Sequence, residues 1–71
     1  MEEKKEKYPL TNVKVKLIGT DGNAFNLIGK TRSALRMAGY DNEFIERFTT
    51  EATSGDYMNL IATISKYVDI E

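Results

Sequence analysis

Hydrophobic and polar residues alternate over residues 12–18, with Val13, Val15 and Leu17 on one side and Asn12, Lys14 and Lys16 on the other. A period of two belongs to a strand with one buried face, which leaves the two lysines on the wet face. From residue 24 the period changes. Ala24, Leu27, Ile28, Thr31, Ala34, Leu35 and Ala38 recur at spacings of three and four, with Lys30, Arg32, Ser33 and Arg36 around them, so a helix is predicted over residues 24–38. The turn before it, Gly19-Thr20-Asp21-Gly22-Asn23, has glycines for unusual backbone angles and an Asp or Asn to cap the helix. Gly39 stands where a left-handed C-cap is preferred.

Two further helices follow. Asp41 is a natural N-cap for residues 42–53, whose stripe is Phe44, Ile45, Phe48 and Ala52. Ser54-Gly55-Asp56 closes that helix and caps the next, residues 57–66, with Tyr57, Leu60, Ile61 and Ile64 on its apolar side. The β-branched, alternating segment at residues 67–70 predicts a short strand that can pair with residues 13–18. The order is β-α-α-α-β, an α+β fold with three short helices on a two-stranded sheet. Residues 1–9 are a charged arm expected to be disordered, and residues 10–71 a single domain.

A chain of 71 residues has little surface to bury, and it has no cysteine or histidine for a disulfide or a usual zinc site. Two strands alone also leave exposed edges. Homodimerisation is therefore expected, by joined sheets or packed helical faces. The missing Cys and His remove the thiol nucleophile and the imidazole base, so no enzymatic activity, catalytic residue, cofactor or metal is expected. A charged start and the lack of a long apolar run point to a soluble, cytoplasmic protein with no membrane span.

The net charge of −1 conceals an asymmetry. Between residues 10 and 40, Lys14, Lys16, Lys30, Arg32 and Arg36 face one acid, Asp21, whereas beyond residue 40 seven acids face Arg47 and Lys66. Such a chain favours contacts between unlike faces, as well as ordinary solvation.

Gly29-Lys30-Thr31 spells the end of a phosphate-binding loop, but the first glycine of that motif would fall at position 24, which is Ala24, and Phe25, Leu27 and Ile28 occupy the would-be loop. Gly29 inside a helix instead suggests close backbone packing or a deformation. The Gly-X-X-Gly of a K-homology RNA-binding loop is missing too, since Arg32 stands at the fourth position. A calcium loop lacks its register and its closing glutamate. What remains is an anion held on the N–H groups of Gly22, Asn23 and Ala24, or phosphates met by the basic residues. Phe25, Phe44 and Phe48 are assigned to the core. Tyr40, Tyr57 and Tyr67 suit either core or interface, and Met37 and Met58 lie off or at the margin of their stripes.

The segments KLIGTDGNAF, at residues 16–25, and EATSGDY, at residues 51–57, followed by a terminal YVDI, resemble a family of small uncharacterised bacterial and bacteriophage proteins. The resemblance implies a mobile-element context, in which compact acidic proteins act by binding and inhibiting a host or defence protein. Taken with the composition, it gives a small protein-binding module with a host-encoded partner, and Lys14, Lys16, Arg32, Arg36, Tyr40, Tyr57 and Met58 are the candidate contact residues. The alternative is a nucleic-acid- or anion-binding module using the glycine-rich turn and the adjacent basic residues.

Overall fold

A computed structural model describes residues 8–17, 19 and 22–71. The expectation for residues 1–7 of the arm lies outside the described residues, as do Ile18, Thr20 and Asp21 of the strand and turn. The order is β1 (Lys14–Val15), α1 (Ala24–Met37), α2 (Asn42–Ala52), α3 (Tyr57–Tyr67) and β2 (Asp69–Ile70), a mixed α+β fold in the expected β-α-α-α-β sequence. The two strands pair in parallel, Lys14 opposite Asp69 and Val15 opposite Ile70. β1 packs on α1 and β2 on α3, while α2 packs against both other helices. None of the described helices is long and apolar enough to cross a membrane.

The helix boundaries follow from local chemistry. Each N-cap side chain accepts a backbone N–H of the first turn: Asn23 from Phe25 at 2.8 Å, Asp41 from Phe44 at 3.0 Å and Asp56 from Asn59 at 2.9 Å. At the end of α1, Gly39 has φ +98°, its N–H donates to the Arg36 carbonyl at 3.0 Å, and the Tyr40 N–H reaches back to Leu35 at 3.1 Å. This pair of reversed bonds satisfies carbonyls that the helix leaves open, and it requires the left-handed conformation that glycine adopts without strain.

Both strands are shorter than the alternation predicts, although one backbone bond continues past them, from the Leu17 N–H to the Glu71 carbonyl at 3.3 Å. The residues before β1 are spent on the C-terminus of α3: the Leu10 N–H donates to the Lys66 carbonyl at 2.9 Å and the Thr11 N–H to that of Tyr67 at 3.2 Å. The Thr11 hydroxyl adds a 2.8 Å bond to the same Tyr67 oxygen. Tyr67 belongs to α3 and not to the second strand, and the chain turns extended only at Val68, whose N–H still donates to Ile64 at 2.9 Å. Satisfying helix carbonyls takes precedence over lengthening a two-stranded ladder.

The core joins Val15 of β1, Leu27 and Leu35 of α1, Ile45, Phe48 and Ala52 of α2, and Leu60, Ile64, Tyr67 and Val68 from α3 onward. Thr31 is buried among them because its hydroxyl donates to the Leu27 carbonyl at 2.9 Å, one turn back. Three expectations for α1 are corrected. Ala24 and Ala38 are exposed, because they sit at the two ends of the helix where the stripe runs out of neighbours. Phe25 is 83% exposed, because its helical phase places it in a row with Gly29 and Ser33 on the outward side. Gly29 meets no close packing, since a Cβ built there would have nothing within 4 Å.

Two stability outcomes follow. Gly29→Ala is expected to raise the urea-unfolding free energy by up to about 1 kcal/mol, because it removes the flexibility of an exposed mid-helix glycine and meets no clash. Leu35→Ala is expected to lower it by about 2–5 kcal/mol through a core cavity.

Candidate functional site

Three chain segments converge at the N-terminal ends of α1 and α3. Ala24 and Ile28 of α1, Ala52 and Thr53 at the close of α2, and Gly55, Asp56, Tyr57 and Leu60 enclose an open cleft of about 340 Å³. The polar groups around it are committed to one another. The Tyr57 hydroxyl donates to the Gly22 carbonyl at 2.8 Å and ties the start of α3 to the turn before α1. Asn59 Nδ2 donates to the Glu51 carbonyl at 3.0 Å, and the Ser54 hydroxyl to the same carbonyl at 2.7 Å, closing the end of α2. Asp56, the carboxylate in the lining, is the N-cap of α3. The floor is left to apolar atoms of Ala24, Ile28, Ala52 and Leu60.

Large apolar side chains in the first turns of the same two helices stay in water. Phe25 follows Ala24 in sequence, and Met58, 76% exposed, follows Tyr57, itself about half exposed. Exposed apolar residues are ordinary when scattered, but these occupy the first two positions of the two helices whose N-terminal ends form the concavity. The opening suits insertion of an apolar side chain, since a cavity of about 150 Å³ is known to hold a benzene ring. No group of three or more metal-binding side chains occurs among the described residues.

The candidate residues separate into three places. Tyr57 lines the cleft, whereas Met58, the next residue of α3, is exposed and not in its lining. Lys14 and Lys16 lie exposed on the sheet, where Lys14 Nζ is 3.6 Å from the Asp69 carboxylate of the neighbouring strand. Arg36 is exposed on α1, whereas Arg32 turns toward α2, donating to Thr49 Oγ1 at 2.8 Å and to Glu46 Oε2 at 3.2 Å. Tyr40 is half-buried, its ring stacked on Phe44 with centroids 4.8 Å apart, at the rim of the core. In the glycine-rich turn, the Asn23 side chain and the Gly22 carbonyl serve the cap and the Tyr57 hydroxyl, while Ala24 contributes to the cleft wall. Phe25 was missed as a surface residue. Its signal was present, because a residue four before Gly29 and eight before Ser33 shares their row.

A second cluster is structural. Glu51 of α2 accepts from Lys66 Nζ and, at 3.0 Å, from the Tyr67 hydroxyl, both of α3. The Lys66 ammonium holds the Glu51 carboxyl below the usual range, with the Tyr67 hydroxyl helping, and Glu51 in turn pushes the lysine up. Burial, reinforced by the Glu51 carboxylate, pushes the Tyr67 phenol up.

These directions set the pH window of stability. Glu51 stays ionised to lower pH in the folded chain, so its contribution is present above the unfolded glutamate range near about 4.3 and is lost as pH falls through the lower folded value. Lys66 and Tyr67 hold their protons more tightly when folded, so their contributions are complete below about pH 10 and fade as pH rises through the folded values. Urea-unfolding midpoints of Glu51→Gln are expected to change less between about pH 3 and about pH 6 than those of the wild type. Equal slopes for the two proteins would contradict this role for Glu51.

No family model, curated protein or solved structure matches this chain.

Proposed function

We propose that the chain is a protein-binding module that acts by receiving an apolar side chain of another protein in the cleft between α1 and α3. The observation that carries this reading is an open cleft floored by Ala24, Ile28, Ala52 and Leu60 with half-exposed Tyr57 in its wall, and with Phe25 and Met58 exposed next in sequence to Ala24 and Tyr57. Burying one large apolar side chain is worth roughly 1.5–3 kcal/mol, and a central apolar anchor ringed by water-excluding contacts is where binding energy concentrates. The polar side chains of the lining have structural partners: Asp56 caps α3, the Thr53 hydroxyl donates to the Thr49 carbonyl and the Tyr57 hydroxyl to that of Gly22.

The test is affinity capture from the native cell, read by mass spectrometry, with the wild type, Met58→Glu and Phe25→Glu side by side. Both substituted residues are exposed, so circular dichroism should show the wild-type helix content. At least one protein is expected with the wild type and is expected to fall about tenfold or more with each variant. Capture that both variants leave unchanged, or recovery of nucleic acid alone, would overturn the proposal.

A further inference from the structure

The outward face of α1 differs from that of its neighbour α2, which shows water Glu43, Glu46, Arg47 and Thr50. On α1, Phe25, Gly29, Ser33 and Met37 follow at every fourth residue and all four are exposed. Residues at that spacing form one row along a helix. The row is large at both ends, with Phe25 83% and Met37 86% exposed, and low in the middle, where a Cβ on Gly29 would meet nothing within 4 Å. Twelve residues of helix separate the ends, about 18 Å at 1.5 Å per residue. The result is a shallow saddle with an apolar post at each end.

Charge lines both sides of that saddle. Arg32 and Arg36 occupy the adjoining row on one flank, Asn26 and Lys30 that on the other, and α1 contains no acidic residue. A glycine in an exposed helix interior weakens the helix, and nothing in the fold packs against this one. Close approach by another backbone would give that position a use.

The charges also decide what kind of chain can lie there. A second copy docking α1 against α1 would bring Lys30, Arg32 and Arg36 against the same three cations, and like-charge juxtaposition opposes that pairing. The acidic helix of a second copy, α2, is no better suited, because its apolar side chains Ile45, Phe48 and Ala52 are already buried in its own core. A helix from another protein, with carboxylates on both sides of an apolar row, meets the cations and the posts together.

We infer that the outward face of α1 seats an acidic amphipathic helix of another protein, crossing at Gly29 and Ser33 between Phe25 and Met37. The inference rests on the protein-binding reading, shares Phe25 with the cleft, and supplies the chemistry of the partner. Carboxylates of the bound helix lie toward Arg36 and Lys30, and Arg32 is shared between that helix and Glu46. Because much of this attraction is between exposed charges, salt weakens it.

The experiment is selection from a displayed library of four-turn helical peptides with randomised surfaces, using the whole chain as bait. Selected peptides are expected to carry Asp or Glu on both sides of an apolar row. Their binding is expected to fall at least tenfold with Gly29→Trp, with Ser33→Trp and with Arg36→Glu, and to weaken between about 50 mM and about 500 mM salt. Circular dichroism of each variant establishes that the fold persists; the two tryptophan variants guard against one of them failing for another reason. Selection of basic or uncharged peptides, or binding indifferent to all three substitutions, would overturn the inference. So would self-association of the chain that Gly29→Trp abolishes, which would give the face to a second copy. Peptides lost only with Met58→Glu would overturn the α1 seat and leave the cleft standing. Failure of every peptide, together with unchanged native capture by the cleft variants, would overturn both proposals.

Discussion

The fold depends on the burial of Tyr67 at the last turn of α3. Its ring is fully enclosed, edge-on to Phe44 and Phe48 of α2 at centroid distances of 5.5 and 5.3 Å. Its hydroxyl donates to Glu51 of α2, and its carbonyl receives both the N–H and the hydroxyl of Thr11. One residue therefore fixes α3 against α2 and anchors the segment that leads into β1. It also launches β2 beside that strand. A tyrosine can do this only where its polar end finds a partner, and Glu51, itself held by Lys66, supplies one.

With the core organised around that residue, α1 is left as an outer layer. Its buried side, Leu27, Thr31 and Leu35, faces β1, α2 and α3, and its other side faces water. The apolar residues kept in water, Phe25, Met37 and Met58, and the glycine that weakens the same helix, all lie outside the network that stabilises the fold. A surface that lowers stability without a structural return is the usual mark of a contact surface.

Much of this architecture was legible in the sequence, because local chemistry specified it. Asn23, Asp41, Asp56 and Gly39 marked helix ends that the structure keeps, and the alternation of Val13, Val15 and Leu17 gave the inward side of β1. Strand length was not legible. Just before the strand, Leu10 and Thr11 bond to carbonyls of α3 more than fifty residues away, and no local pattern announces such a bond. Tyr67 was misread as strand because β-branched neighbours outweighed the three-residue step from Ile64, which keeps it in helical phase with the core. Of the candidate contact residues, Tyr57 fell in the wall of the cleft and Met58 on the exposed side of the same turn. Lys14 and Arg32 were drawn to Asp69 and Glu46 by pairings across elements that a linear count of charges does not contain.

The central claim is that binding uses the starts of α1 and α3, where Phe25, Tyr57 and Met58 are exposed, together with the outward face of α1, and that the sheet serves only as support. Amide NMR of the isotopically labelled chain, titrated with a partner captured from its native cell, tests it most directly. The account expects the largest shift changes within Ala24–Met37 and at the start of Tyr57–Tyr67, with Lys14–Val15 and Asp69–Ile70 little moved. Changes concentrated on the lysine-bearing face of the sheet, with α1 undisturbed, would contradict it.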